Sequence, residues 1–148
     1  HANSIMGATK KVAEIATRDA GQISVRFGNV MGSRGSVLET WQRQLDAGEQ
    51  LTVTDENMVR FMMTIPEACE LLIKGGEIGE PGSIMVMDMR ERVNVLKLAQ
   101  GILGKSGKNL GIKIIGIRPG EVLVEELMTE EEAKKAKRID NFWVIPAN

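Results

Sequence analysis

One stretch of this chain, residues 25–36, limits the fold more strongly than any other. It begins as an apolar segment long enough for a short buried strand, and its glycines then open a loop that carries Asn29 and Arg34. Open α/β sheets place their ligands at the carboxyl ends of such strands. The stretch therefore predicts an α/β protein with a binding site where this strand ends.

The rest of the chain alternates between helical and extended patterns. Helical spacing of apolar residues predicts helices over residues 4–19, 36–47, 65–74, 93–103 and 121–128, and a charged helical face over 130–138. Apolar and β-branched runs predict strands over residues 22–30, 51–55, 59–64, 83–89, 112–117 and 142–145, with a glycine-rich loop over 75–82. This alternation favours the α/β class, although the sequence contains no G-x-G-x-x-G phosphate loop.

Composition excludes several classes of protein. The 148 residues are 43% apolar with a formal charge of −1, so the chain can bury a core but offers no general basic surface for nucleic acid. The single cysteine, Cys69, lies in an apolar helical pattern, which predicts a buried thiol, no disulfide and a reducing, cytoplasmic setting. No apolar run approaches the ~20 residues of a membrane span, and no cluster of His, Cys and acidic residues has metal-ligand spacing.

Met6 and Lys10 stand four residues apart on the first predicted helix and therefore share a face. By itself, such a pair usually marks the edge of a core beside a surface charge. The chain has no tyrosine, so no phenol can act as an acid or a base, and the thioether of Met6 has no proton to exchange. The pair gains meaning only from the sequence blocks that follow it.

Several blocks in a fixed order resemble one family along nearly the whole chain. The run from Met6 to Lys10 resembles the Y-x-x-x-K signature of short-chain dehydrogenase/reductases, with methionine in place of tyrosine. The chain is similar to the polysaccharide-biosynthesis group of nucleotide-sugar 4,6-dehydratases, whose best-known substrate is UDP-N-acetylglucosamine. The blocks that carry this resemblance are residues 25–36, 52–55, 59–64, 117–127 and 142–146.

The resemblance implies an enzyme that uses NADP or NAD. It implies that Lys10 holds the hydroxyls of the nicotinamide ribose, and that Phe27 and Gly28 lie near the nicotinamide and the hexose. Met6 would occupy the usual catalytic tyrosine position without acid–base function. In members of this group that lack the tyrosine, an Asp-Lys pair just before the helix performs the acid–base steps, and this sequence begins after that position.

The resemblance also implies a set of contacts to a UDP-sugar. These are Asn29 to the diphosphate, Arg34 and Ser36 to the nucleotide sugar, Thr52 and Thr54 to the uracil, Arg60 and Arg118 to the phosphates, and Glu121 to the ribose. From the residues alone, Arg34 is also readily explained as a solvated loop charge. Glu121 is likewise explained as a carboxylate at a helix start, where the helix dipole favours it.

Because the sequence begins with His1 directly before a helical pattern, we expect it to be the later part of a longer protein. The expected fold is an incomplete Rossmann-like fold of the extended short-chain dehydrogenase/reductase type, lacking the N-terminal dinucleotide-binding half. Residues 1–31 would form its last helix and strand, and residues 32–148 its sugar-nucleotide-binding α/β region. Such a chain would retain the substrate half-site of an NAD(P)-dependent dehydratase and would be inactive alone.

Other functions stay open. A nucleotide-sugar 4-epimerase or a C5-inverting dehydratase would have the same fold, although epimerases usually keep the tyrosine that Met6 replaces. A non-catalytic module that binds a nucleotide sugar is a third alternative. We expect a homo-oligomer, because the strand over residues 22–30 would expose an edge without flanking strands. A membrane anchor elsewhere in the full-length parent also stays open.

Overall fold

The computed structural model describes residues 4–89 and 91–147, which form two compact units that alternate along the chain. Unit 1 comprises the described residues of His1–Gly28, Pro66–Arg90 and Glu126–Asn148. Unit 2 comprises Asn29–Ile65 and Glu91–Glu125. The predicted domains, 1–31 and 32–148, stay a prediction about the parent protein.

Five helices and nine strands account for the regular structure of the described residues. The helices are α1 Ile5–Asp19, α2 Val37–Ala47, α3 Ile65–Ile78, α4 Val95–Ser106 and α5 Glu130–Lys135. The strands are β1 Ser24–Arg26, β2 Asn29–Val30, β3 Leu51–Val53, β4 Val59–Met63, β5 Ile84–Met87, β6 Arg92–Asn94, β7 Ile112–Ile114, β8 Lys137–Ile139 and β9 Phe142–Ile145.

Unit 1 is built on a four-stranded sheet in the order β1-β5-β9-β8. β1 and β5 are parallel, with Ser24 opposite Ile84, and β9 pairs antiparallel with both β5 and β8. β1 is therefore an edge strand, as the sequence predicts. Ile84, Val86 and Ile145 form the centre of a buried cluster on this sheet.

Helices cover both faces of the unit 1 sheet. Gly75 of α3 is so close to β1 that a Cβ atom there would lie 3.2 Å from Cγ2 of Val25. The neighbouring residue, Arg26, instead bonds to Glu14 of α1 and Glu132 of α5. Because successive side chains of a strand point to opposite faces, α3 lies on one face and α1 and α5 lie on the other.

Unit 2 packs α2 and α4 against the short parallel pair β3 and β7. Its second sheet has the order β2-β4-β6, with β2 parallel and β6 antiparallel to β4. Trp41 is the largest fully buried side chain of this unit, and its Nε1 donates to the Thr52 carbonyl at 2.8 Å. The buried cluster around Trp41 also contains Leu45, Leu51, Val53, Met58, Val95 and Ala99.

The predicted C-terminal end of the third helix, residue 74, was wrong. α3 continues through Gly75 and Gly76 to Ile78, so the predicted loop begins later. Glycine disfavours a helix, but the missing side chain of Gly75 lets the helix pack closely against Val25 and Met85. Cys69 is exposed rather than buried, because the buried face of α3 consists of other residues.

The predicted helix over residues 121–128 was also wrong. No helix forms there: the chain is irregular, with bends at 123, 127 and 128, and Val124 forms an isolated parallel bridge with Val59 of β4. The next helix is α5, where Thr129 and Glu132 form a capping box. The charged stretch 130–138 is thus a helix followed by β8, and the predicted strand 22–30 is divided into β1 and β2 of different sheets.

The alternation of helices with strands, of which three pairings are parallel and three antiparallel, confirms the predicted α/β class. Over residues 4–89 and 91–147, no helix is long and apolar enough to cross a membrane.

Candidate functional site

α1 runs antiparallel to β1 in unit 1. The helix begins at Ser4, whose Oγ accepts from the Gly7 amide at 3.0 Å. Near its C-terminal end, Arg18 donates through Nε to the carbonyl of Gly82, just before β5 begins. Since β5 and β1 are parallel and start side by side, the C-terminal end of α1 lies at the start of β1.

This direction brings the predicted cofactor-side residues toward one end of β1. Glu14 of α1 bonds to Arg26, the last residue of β1. Lys10 and Met6 lie one and two turns before Glu14 on the same helix face. Phe27 and Gly28 follow Arg26 directly, so all four residues lie toward the carboxyl end of β1. The side chains of Met6 and Lys10 are exposed.

Arg26 holds this end of the strand with two carboxylates. Its Nε and Nη2 contact Glu14 at 2.6 and 2.7 Å, and its Nη1 and Nη2 each contact Glu132 at 2.8 Å. The hydrogen bonds from Arg26 lower the pKa of Glu132 to about 2. Burial raises the pKa of Glu14, but the hydrogen bonds from Arg26 and Lys11 outweigh it, so that pKa is lowered.

In unit 2, the loop after β2 presents polar residues from a tight backbone. Asn29 is exposed at the start of β2, and Arg34 is exposed at the loop tip. Gly32 and Gly35 both have a φ of +74°, a region that glycine enters without strain. Ser36 is the N-cap residue of α2, yet its buried Oγ has no hydrogen-bond partner among the described residues.

Thr52 is fixed by a side chain of α2. The Thr52 amide donates to Oε1 of Gln44 at 3.1 Å, and Nε2 of Gln44 donates to Oγ1 of Thr52 at 2.9 Å. The Thr52 hydroxyl therefore keeps its own proton for another acceptor. The hydroxyl of Thr54 donates to Sδ of Met58 at 3.0 Å.

Arg60, the second residue of β4, is buried, with 7% of its surface exposed. Its Nη1 donates to the carbonyls of Val59 and Leu123 at 2.8 and 3.1 Å. Its Nε lies 3.1 Å from Oε1 of Glu125, and its Nη2 lies 3.7 Å from Oε1 of Glu121. Two members of the predicted phosphate and ribose site, Arg60 and Glu121, thus meet in the structure.

Residues 118–121 form a tight turn that exposes Arg118. The Glu121 amide donates to the Arg118 carbonyl at 3.0 Å, and Oε2 of Glu121 accepts from the Arg118 amide at 3.2 Å. Pro119 followed by Gly120, with a φ of +81°, fits a type II turn. The guanidinium of Arg118 has no hydrogen-bond or ion-pair partner in the part of the chain that the structure describes, and it is free to bind an anion.

The predicted residues divide by role between the units. Met6, Lys10, Phe27 and Gly28 lie in unit 1, whereas all eight predicted substrate contacts lie in unit 2. Within the described residues, no group of three or more His, Cys, Asp or Glu side chains could hold a metal ion. Sequence reasoning missed the residues that brace the site, which are Glu14, Arg26, Gln44, Glu125 and Glu132. Only Arg26 gave a signal, as a charge inside an apolar strand.

The fold is shared with Rossmann-like nucleotide-sugar dehydratases and epimerases of the short-chain dehydrogenase/reductase type. Residues 1–147 match the family model described as polysaccharide biosynthesis protein, and the chain belongs to that family. This confirms the family and the fold that the sequence blocks predict.

Several curated proteins are similar to this chain. It is 41% identical over 140 residues to the capsular polysaccharide biosynthesis protein CapD of Staphylococcus aureus, covering 88% of this chain and 23% of CapD. It is 42% identical over 160 residues to the probable polysaccharide biosynthesis protein EpsC of Bacillus subtilis, covering 96% of this chain and 27% of EpsC. A UDP-glucose 4-epimerase of Rickettsia bellii is 37% identical over 123 residues, covering 82% of this chain and 35% of the epimerase. The chain therefore spans about a quarter to a third of these relatives.

Solved structures show the same fold. Pen from Bacillus thuringiensis has a TM-score of 0.89 and 36% identity, covering 95% of this chain and 47% of that one. The dTDP-glucose 4,6-dehydratase DesIV of Streptomyces venezuelae was solved with NAD and TYD bound. It has a TM-score of 0.74 at 17% identity, covering 90% of this chain and 45% of DesIV. The UDP-N-acetylglucosamine 4-epimerase of Methanobrevibacter ruminantium has a TM-score of 0.65 at 15% identity, covering 91% of this chain and 47% of the epimerase.

Proposed function

We propose that this chain carries the substrate-binding part of a nucleotide-sugar 4,6-dehydratase of capsular or surface polysaccharide synthesis, with UDP-N-acetylglucosamine as substrate. One observation carries the proposal. The turn at residues 118–121 exposes the guanidinium of Arg118, which has no partner among the described residues, and holds the Glu121 carboxylate on the Arg118 backbone amide. An exposed cation and a fixed carboxylate suit a diphosphate and a ribose diol. Membership of the polysaccharide biosynthesis family supports the same reading.

The remaining substrate-side residues have complementary roles in this proposal. Arg60 and Arg118 supply positive charge to the phosphate side, and Asn29 donates its amide to the diphosphate. Arg34 and Ser36, which lie in and just after the loop that follows β2, contact the nucleotide sugar. Thr52 and Thr54 lie on the uracil side, where Gln44 holds Thr52. Such contacts orient the sugar, and orientation supplies much of the rate in reactions of this kind.

For the cofactor we propose NADP or NAD, held in part by unit 1. The exposed Lys10 ammonium at the carboxyl end of β1 fits the ribose hydroxyls of a nicotinamide nucleotide. Gly28, which follows this strand, allows close approach of the backbone. The solved DesIV structure holds NAD. When bound, the cofactor supplies the hydride chemistry, whereas Met6 neither gives nor takes a proton.

Because these 148 residues contain no phosphate-binding glycine loop, we propose that they bind the sugar nucleotide but do not turn it over. Calorimetric titration with UDP-N-acetylglucosamine tests binding, with GDP-mannose as the control for base recognition. The expected result is binding of the uracil nucleotide alone. Equal binding of both ligands, or of neither, contradicts the proposed site. Formation of a 4-keto sugar from UDP-N-acetylglucosamine and NADP contradicts the proposed inactivity.

The alternative of a 4-epimerase is favoured by the 37% identity to the UDP-glucose 4-epimerase of Rickettsia bellii. The two reactions differ at C6, because a dehydratase removes the C6 hydroxyl and an epimerase keeps it. Carbon-13 NMR of the product made by the full-length protein separates them. A product with a C6 methyl group supports the dehydratase, and a retained C6 hydroxymethyl group supports the epimerase. A full-length protein that binds the sugar without any product would be a non-catalytic binding module.

We also propose that the protein forms a homo-oligomer. The free edge of β1 and the exposed apolar residues of α1, Ile5, Val12 and Ile15, support this assembly. Light scattering at high protein concentration tests it, and a monomer mass would contradict it.

A further inference from the structure

We propose that Glu125 is a positioning residue for the phosphate site and that it acts by fixing the guanidinium of Arg60 before a ligand binds. This role rests on the proposed function, which places Arg60 on the phosphate side. Arg60 would then touch the phosphates, whereas Glu125 would act only through Arg60.

Two of the three guanidinium nitrogens of Arg60 face protein acceptors at short distance. Nη1 donates to the carbonyls of Val59 and Leu123 at 2.8 and 3.1 Å, which uses both of its N–H groups. Nε lies 3.1 Å from Oε1 of Glu125. Nη2 lies 3.7 Å from Oε1 of Glu121, which is beyond hydrogen-bond distance. The N–H groups of Nη2 are therefore the ones that a phosphate oxygen can use.

The contacts of Arg60 differ in how firmly they are held. The Leu123 carbonyl belongs to backbone that is tied to β4, because it also accepts from the Val59 amide at 3.0 Å and the adjacent Val124 bridges to Val59. Nη1 of Arg60 therefore has fixed partners. These partners hold one nitrogen and leave the guanidinium plane free to swing about it, so the contact at Nε decides where Nη2 points. That contact is with Glu125.

Burial gives Arg60 a need for a permanent partner. Arg60 is 7% exposed, whereas the side chain of Glu125 is 35% exposed. A buried cation without a counter-charge is strongly unfavourable, so Glu125 stabilises the guanidinium in the ligand-free protein. A guanidinium that is already oriented loses less conformational freedom when a ligand binds. The carboxylate therefore favours binding although it does not touch the phosphates.

The charge of Glu125 has the opposite effect. A carboxylate repels a diphosphate, and its removal would by itself strengthen binding. The loss of a fixed guanidinium would weaken binding, because a charge-assisted hydrogen bond depends on direction as well as on distance. The sign of the change in UDP affinity therefore distinguishes a positioning residue from a nearby negative charge.

Calorimetric titration with UDP and with uridine tests this role. Glu125→Ala removes the oxygen that faces Nε of Arg60, and it should weaken UDP binding by about tenfold, the effect of one charged hydrogen bond. Uridine has no phosphate, so its affinity should stay unchanged. Glu125→Gln keeps an oxygen at this position and removes the charge, so it should bind UDP at least as tightly as the unmodified protein. Glu126→Ala, which removes the neighbouring exposed acid, is the matched control and should not weaken UDP.

Three results would each overturn the role of Glu125. Tighter UDP binding in Glu125→Ala is the result expected of a repelling charge. Equal weakening of uridine and UDP is the result expected of general damage to the fold. Equal losses of UDP affinity in Glu125→Gln and Glu125→Ala would show that the oxygen facing Nε does not orient Arg60.

A second comparison asks whether Glu125 acts through Arg60. Arg60→Lys keeps the positive charge and removes the planar fork, so it should weaken UDP and leave uridine unchanged. In the Arg60→Lys background, Glu125→Ala should cause no further loss, because residues that act as one unit are not additive. A further loss equal to that in the unmodified background would overturn the inference.

The same titrations separate this role from the proposed function. If the unmodified protein binds neither ligand, the proposed function fails, and the role of Glu125 fails with it. If Arg60→Lys leaves UDP binding unchanged, the proposed phosphate contact of Arg60 fails, and so does the role that depends on it. If Arg60→Lys weakens UDP and Glu125→Ala does not, only the role of Glu125 fails.

A measurement without ligand tests the fixing of Arg60 directly, and it stays decisive if Arg60→Lys does not fold. The Nε–H signal of Arg60 in a nitrogen-15 NMR spectrum should exchange slowly with solvent in the unmodified protein and in Glu125→Gln. It should exchange faster in Glu125→Ala, because the group has lost the oxygen that faces it and opens more often. Equal exchange in all three proteins would overturn the inference.

Discussion

Arg26 binds the Glu132 carboxylate through two nitrogens, Nη1 and Nη2, each 2.8 Å from an oxygen, and so ties the end of β1 to α5. The same guanidinium holds Glu14 of α1 through Nε and Nη2. A planar fork that pairs with two carboxylates fixes direction as well as distance, which lysine cannot do. Three elements of unit 1 therefore meet at one side chain, beside Phe27 and Gly28.

Removal of that side chain should be costly. In Arg26→Gln, Glu14 and Glu132 would remain as adjacent, part-buried charges without their cation, and the free energy of unfolding should fall by roughly 3 kcal/mol. Urea denaturation followed by circular dichroism measures the change. Lys11→Gln is the control, since the half-exposed pair of Lys11 and Glu14 should contribute less than about 1 kcal/mol. A loss in Arg26→Gln as small as in the control would contradict the prediction.

Stability should depend on pH in the acid range. The folded-state pKa of Glu132 is about 2 and that of Glu14 is lowered, both from an ordinary value of 4.5, because Arg26 donates hydrogen bonds to both carboxylates. For carboxyls with depressed pKa values, the unfolded state binds protons first, so their contribution is present above pH 4.5 and is lost as the pH falls toward 2. Urea midpoints at pH 7, 5 and 3 should show a plateau and then a decrease. In Glu132→Gln the urea midpoint should decrease less between pH 5 and pH 3. A decrease equal to that of the unmodified protein would contradict the assignment of the acid sensitivity to Glu132.

The exposed guanidinium of Arg118 should matter for the nucleotide and not for the fold. Arg118→Ala should weaken UDP binding by on the order of 2 kcal/mol, about thirtyfold, with little change in the melting temperature. The loss should shrink as salt rises, because part of the attraction is screened. Arg43→Ala, which removes an exposed arginine of α2, is the matched control. Equal affinities of the two variants for UDP would remove Arg118 from the site.

Two glutamines of α2 differ in what they hold. Gln44 clamps the Thr52 amide and hydroxyl, whereas exposed Gln42 bonds only to Asp46. Gln44→Ala should lower the free energy of unfolding by about 1–2 kcal/mol, because it leaves part-buried polar groups of Thr52 without partners. It should also weaken uridine binding, and Gln42→Ala should do neither. Denaturation and calorimetry measure both effects, and an unchanged uridine affinity in Gln44→Ala would separate Thr52 from the base site.

Adjacent glycines of α3 should respond oppositely to alanine. A Cβ at Gly76 meets nothing within 4 Å, so Gly76→Ala should raise stability by roughly 0.5–1 kcal/mol through helix propensity. A Cβ at Gly75 would lie 3.2 Å from Cγ2 of Val25, so the gain in Gly75→Ala should be cancelled or reversed. Thermal unfolding of the two variants measures the difference. A higher melting temperature for Gly75→Ala than for Gly76→Ala would contradict the prediction, because it would mean that Val25 of β1 shifts at little cost to accommodate the new Cβ.

The sequence by itself determined the α/β class, the family and the start of α1. Those features rest on local chemistry, such as the Ser4 cap, and on blocks whose order and spacing can be read along the chain. The predicted site residues were also named from the sequence, and their roles stay predictions.

Only the tertiary structure decided how those residues are held. Residues 121–128 look helical locally, but the bridge from Val124 to Val59 and the hydrogen bond from Arg60 to the Leu123 carbonyl hold them out of a helix. α3 continues through Gly75 and Gly76 because Gly75, which has no side chain, packs closely against Val25 of β1 and Met85 of β5. The partners of Arg26 and Arg60 stand up to 106 residues away in sequence, and no local pattern encodes a contact over that distance. The physical reason is that long-range packing and charge pairing outweigh local propensity, which differs by less than about 1 kcal/mol per residue.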